Sequence, residues 1–164
     1  MFNKDYSFSG THADKVIALT AKIGNTDKGL FARNLDVYLA APIVGFLYGC
    51  TAERNTSGGK TTNILLSALS GETSRLEMNY KTIMLQDKDI ASGLDDRLDK
   101  AFKVSNENRA NEDVERYESF VRGGIDKLYE KLIEPAKTSA DHFRLLNEFL
   151  EELNDRYSEK LASS

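Results

Sequence analysis

Residues 35–50, LDVYLAAPIVGFLYGC, contain one charged side chain, Asp36, and a chain like this has to bury the rest of that stretch. Phe31, Leu35, Tyr38, Leu39, Ile43, Phe46 and Leu47 recur at helical spacing, and Val37, Ala40, Ala41, Val44 and Tyr48 fill the remaining faces. A helix that is apolar all round is buried all round. Crossing a bilayer takes about 20 consecutive apolar residues. Asp36 on one side and Glu53 and Arg54 on the other leave too few, so the stretch predicts a core helix and no membrane partner. Pro42 removes a backbone donor and crowds the carbonyl of Tyr38, which predicts a kink or the start of a second helix there. Gly45 and Gly49, four apart, form a small-residue strip that lets a neighbouring helix approach closely.

What covers this helix is helical too. The 164 residues are 40% hydrophobic and 29% charged with two prolines, which fits one helical domain with a core that needs no disulfide or metal. A helix over roughly Ala13 to Ile23, capped by Ser9 or Thr11, presents Val16, Ile17 and Leu19 inward and ends at Gly24-Asn25. Thr26 or Asp27 then opens the central helix. Residues 1–10 read as an N-terminal arm that lays Phe2, Tyr6 and Phe8 on the body, and residues 51–62, TAERNTSGGKTT, as a flexible loop. A short helix follows from about Thr62 to Ser70. Residues 74–86 carry Leu76, Tyr80, Ile83 and Met84 on one helical face, but Leu76, Met78 and Tyr80 also alternate, so helix and strand both stand.

Asp95 to Val104 predicts a helix with Leu94, Leu98, Ala101 and Phe102 inward. From Asn111, Val114, Tyr117, Val121, Ile125, Leu128 and Leu132 give the strongest amphipathic pattern in the chain, with Gly123-Gly124 marking a bend, crossing or break. After Pro135 a last helix points Phe143, Leu146, Phe149, Leu150, Leu153, Tyr157 and Leu161 inward. The short connection makes residues 110–161 an antiparallel helical hairpin. The expected fold is therefore all-α: six or seven helices around residues 35–50, with the C-terminal pair on the outside.

Charge is uneven along the chain. Residues 1–62 carry net +2, residues 63–104 net −1 and residues 105–164 net −5. That balance argues against broad phosphate-backbone binding but leaves room for a basic patch on the N-terminal half. The single Cys50 has no partner for a disulfide, and no leader-like apolar run opens the chain, which together point to the cytoplasm.

Motifs for chemistry are weak. Gly58-Gly59-Lys60-Thr61-Thr62 ends like a phosphate-binding loop, but the glycine required five residues before Gly59 is Arg54 and the element before it is a helix. What survives is an anion or nucleic-acid contact involving Arg33, Arg54, Lys60 and Thr61, helped by free amides at a helix start. The aspartates at 87, 89, 95 and 96 miss calcium-loop spacing, with Ser92 where glycine belongs and Leu98 where glutamate belongs. His12 and His142 supply no zinc-ligand spacing, Gly-x-Ser-x-Gly is absent, and no cofactor motif appears. Arg97, Lys100, Lys103 and Arg109 fall at helical intervals, but Asp96 and Asp99 share the segment. The sequence favours a non-enzymatic interaction protein or small subunit of a larger assembly whose acidic hairpin meets a protein partner, with homo-oligomerisation open. An accessory nucleic-acid binder is the alternative, and an enzyme whose site forms only on folding is the third reading.

Overall fold

A computed structural model of the chain describes residues 1–57, 60–103 and 108–162. Its elements are β1 (Tyr6–Ser9), α1 (Gly10–Thr20), α2 (Asn34–Tyr48), β2 (Thr61–Ile64), α3 (Leu66–Gly71), α4 (Thr73–Gln86), α5 (Leu94–Leu98), a π turn over Asp99–Lys103, α6 (Asn111–Leu132) and α7 (Ser139–Ala162). The protein is mostly helical, and no described helix is long and apolar enough to cross a membrane. Residues 74–86 are helical, which settles the choice left open above.

The central helix is α2, with Leu35, Val37, Tyr38, Leu39, Ala41, Val44 and Phe46 buried around its circumference. It begins at Asn34 rather than near Thr26 because residues 21–33 form turns, in which Ile23 N donates to Lys28 O and Phe31 N to Leu19 O. Arg33 bonds Asp36 at 2.7 Å in the first turn, where a carboxylate complements the free helix amides. Pro42 lies inside one continuous helix, so no second helix starts there. Proline loosens the turn before it, and Asn79 of α4 donates to Leu39 O in that turn at 2.8 Å. Gly49, with φ 63°, ends the helix in a Schellman motif: Cys50 N donates to Gly45 O and Gly49 N to Phe46 O. Gly49 is thus a stop signal, and Gly45 alone serves close packing.

That packing is against α6. A Cβ on Gly124 would lie 2.6 Å from the Ala41 carbonyl carbon and 2.9 Å from Gly45 N, and one on Gly45 would lie 2.9 Å from the Phe120 carbonyl carbon. The glycine pair of α6 therefore marks a crossing at backbone contact, and α6 continues through it unbroken. Gly123 plays the same part toward the chain leaving α2, since its Cβ would stand 2.8 Å from Thr51 Cα. Tyr117, Val121, Ile125, Leu128 and Leu132 are buried as the periodicity expects.

Several expectations need correcting. The fold is not purely α: β1 and β2 pair antiparallel, with Tyr6 opposite Ile64 and Phe8 opposite Thr62. The N-terminal arm is a strand because it has a partner, and residues 61–64 belong to that partner rather than to a loop or to α3. α1 runs Gly10–Thr20 and leaves Ile17 exposed; its end lies before Gly24-Asn25. Ser9 stands at its start but spends its hydroxyl on Asn55 O. In the segment after Gly93 the buried side chains are Arg97 and Ala101, whereas Leu94, Leu98 and Phe102 face solvent. Arg97 sets this phase by donating to the carbonyls of Leu85, Ala91 and Ser92. Val104 lies outside the described residues, as do Gly58 and Gly59. Among the described side chains of α7 only Phe149 is buried, with Leu146 and Leu153 partly so; Phe143, Leu150 and Tyr157 are exposed, and the side chain of Leu161 lies outside the described residues. Tyr48 of α2 anchors that helix, its ring stacked on Phe149 at 6.1 Å and covered by the Arg156 guanidinium at 4.0 Å.

Candidate functional site

A cleft of about 450 Å³ opens between β1, α2, α6 and the chain after α2. Strand periodicity builds its first wall. Tyr6 and Phe8 project from the same face of β1 and pack on Tyr38 at ring distances of 4.3 and 6.0 Å. Phe2 adds edge contacts to Tyr38 and Tyr117. Its backbone has φ 58°, a conformation that costs a non-glycine residue energy, and burial of the ring offsets that cost.

The opposite wall is α6, which contributes Glu115, Glu118 and Arg122. Glu118 is buried, and its two oxygens accept from the Tyr6 hydroxyl at 2.6 Å and the Tyr38 hydroxyl at 2.7 Å. Burial raises the Glu118 carboxyl above its ordinary range, although both tyrosines and Arg122 pull it down. The same burial, with the Glu118 charge, drives the Tyr6 and Tyr38 hydroxyls far above theirs. Arg122, also buried, gives Nε to Ala52 O at 2.8 Å and Nη2 to Glu115 in a short ion pair. Among the described residues no lysine, arginine or histidine forms an ion pair with Glu118.

The third wall is the chain after α2. Ala52 N donates to Ser119 O, Asn55 Nδ2 donates to the Thr11 hydroxyl, and Asn55 Oδ1 accepts from Ser57 N. Ala52 is thereby bonded to α6 and Asn55 to the start of α1, within the stretch that the sequence reads as a flexible loop. Arg54 is exposed at the rim and Lys4 lies on the opposite strand arm; neither has a hydrogen bond or ion pair among the described residues.

Of the four residues that the sequence offers for an anion or nucleic-acid contact, Arg33, Arg54, Lys60 and Thr61, Arg54 alone lines this cleft. Arg33 pairs with Asp36 and Glu72, Lys60 pairs with Asp14 at 3.1 Å, and Thr61 sits in β2 opposite Ser9. Arg97, Lys100, Lys103 and Arg109 do not form a basic stripe: Arg97 and Arg109 are buried, Lys100 is bound to Asp113 and Lys103 to Asp99. His12 reaches the cleft, but its Nε2 faces Asp126 Oδ1 at 3.3 Å. Burial would raise Asp126, yet hydrogen bonds from His12 and Lys15 hold it below its ordinary value. The cleft hydroxyls of Ser7 and Ser9 donate to Asn63 and Asn55, so neither is bonded to His12. Among the described residues no cluster of three His, Cys, Asp or Glu side chains could hold a metal.

Comparison with family models, curated proteins and solved structures finds no match to this chain.

Sequence reasoning missed Glu118. A signal was present: Glu118 stands three and seven residues before Val121 and Ile125, on the buried side of α6. A charged residue at that phase has to find buried partners.

Proposed function

We propose that this protein is a non-enzymatic helical subunit that binds a protein partner through α7. One observation carries the reading. Phe143, Leu150 and Tyr157 recur every seven residues along α7 and are 56%, 52% and 53% exposed. Seven-residue spacing keeps them on one face of the helix, the pattern of a seam awaiting a second helix. Exposed Glu148, Glu151, Asp155 and Glu159 flank the seam, whereas Arg156 is tied to Glu152. The partner that fits is an amphipathic helix with lysine or arginine beside its apolar face. With α6 and α7 as an antiparallel hairpin, this acidic seam lies on the outside of the bundle, and the lone Cys50 agrees with a cytoplasmic subunit.

The test is a photo-crosslinking side chain placed at Leu150 in the intact protein in its cell, followed by identification of the linked peptide. Linkage to a basic amphipathic segment of another protein, lost in a Phe143→Glu/Tyr157→Glu variant that remains folded, supports the reading. Linkage to α7 of a second copy replaces the partner by the chain itself, and an unlinked seam refutes it. The nucleic-acid reading draws less support, since Arg33, Lys60, Lys100 and Lys103 are each held by a carboxylate.

A further inference from the structure

The cleft over Glu118 has a feature that core packing does not account for. Buried carboxylates are normally neutralised by a cation in direct contact, because desolvating a lone charge is costly. Glu118 is held by two neutral hydroxyls instead. Arg122, one turn further along α6, has two of its nitrogens engaged by Ala52 O and Glu115. Each carboxylate oxygen accepts one hydrogen bond from tyrosine and retains a lone pair, and Glu118 borders the open volume.

We propose that the cleft binds a small zwitterionic amine, with its ammonium on Glu118 beside the hydroxyls of Tyr6 and Tyr38 and its anionic end at Lys4 and Arg54. Three features of the site select this chemistry. An ammonium supplies the donors and the charge that Glu118 lacks, and the Tyr6 and Tyr38 hydroxyls, each donating to Glu118, keep lone pairs that can accept from it. The two rim cations have no partner of their own among the described residues, so a ligand with a carboxylate or phosphate at its other end is favoured over a simple amine. The remaining acids at the mouth are engaged, Asp5 accepting from Leu66 N and Glu115 from Arg122. The volume, about 450 Å³, lies in the range of small-ligand sites. This site is independent of the α7 seam, and its test does not involve a protein partner.

The experiment is calorimetric titration of the full chain with phosphoethanolamine, β-alanine, ethylamine and inorganic phosphate, repeated on Glu118→Gln and Arg54→Ala. At least one zwitterion binds, more tightly than ethylamine by about tenfold, the worth of one charge-assisted contact. Phosphate alone does not bind. The preference between the two zwitterions distinguishes a phosphate-bearing headgroup from an amino acid. Glu118→Gln weakens the zwitterion by about tenfold or more, and Arg54→Ala, an exposed change that leaves folding intact, narrows its advantage over ethylamine. Silence with both zwitterions, binding of phosphate alone, unchanged binding in a folded Glu118→Gln, or an unchanged advantage in Arg54→Ala overturns the proposal.

Discussion

Replacing Gly124 by alanine tests the backbone contact between α2 and α6. The new methyl would stand 2.6 Å from the Ala41 carbonyl carbon and 2.9 Å from Gly45 N, below the 3.0 Å that real Cβ atoms keep. Both obstacles are backbone in a well-packed helix, so relief comes from moving the helices apart. A gap of roughly 0.5–1 Å forfeits about a quarter to a half of each contact's dispersion energy. Overpacking of this kind costs about 1–3 kcal/mol, and the upper end applies where the neighbour cannot rotate away. Alanine returns about 1 kcal/mol of helix propensity, leaving a net loss of about 2 kcal/mol. Gly71 provides the control, since a Cβ there meets nothing within 4 Å. Gly71→Ala should stabilise by about 0.4–1 kcal/mol through the unfolded chain alone. Two chemically identical substitutions thus move stability in opposite directions. Urea unfolding read by circular dichroism measures both midpoints, and in thermal scans the Gly124→Ala loss is a drop of about 4–8 °C. A Gly124→Ala protein as stable as the Gly71→Ala protein would refute the crossing as described.

Glu118→Gln has a second readout besides ligand binding. Because burial raises the folded carboxyl above its ordinary 4.5, the native state holds this proton where the unfolded chain has released it. Stability therefore falls as pH rises through and beyond that value, and the variant should gain on the wild type between pH 4 and pH 8 in urea midpoints; parallel profiles would contradict this. Asp141 runs the other way. Hydrogen bonds from the Thr138 hydroxyl and from the Thr138 and Lys137 amides lower it to about 2. Its hold on the start of α7 is complete above 3.8 and is lost as pH falls through about 2, which the Thr138 amide shift follows by NMR. Arg97→Ala leaves the carbonyls of Leu85, Ala91 and Ser92 without their donor, and a loss of about 3 kcal/mol is expected from charge-assisted bonds of this kind. Denaturant titration checks it, and a loss below about 1 kcal/mol would show that the arginine merely fills space.

The parts of the fold legible in sequence are those that one helix specifies by its own periodicity. α2 has no polar face, and α6 repeats its apolar residues over several turns, so each announces its burial without knowledge of a partner. Gly123-Gly124 announced a bend, a crossing or a break, but neither which of these nor which helix lies against it. β1 and β2 were illegible because four residues hold too little alternation to register, and their pairing is a choice made across more than fifty residues of chain. The exposed seam of α7 was hidden for the opposite reason. Its residues fit one broad apolar face, but the body covers only the part that carries Phe149, Leu146 and Leu153, and Phe143, Leu150 and Tyr157 stay outside. The cleft depended on tertiary placement throughout: Arg54 came from a loop motif, whereas Tyr6, Tyr38 and Glu118 each looked ordinary alone.

The contact between α2 and α6 also sets an order of events during synthesis. α2 is complete at Tyr48, but the helix that covers it ends at Leu132. At about 5–20 residues per second the most apolar segment of the chain waits roughly 4–17 s for its cover. During that interval it is a natural target for chaperones, and slowing translation between residues 49 and 132 should raise the fraction of the protein lost to aggregation.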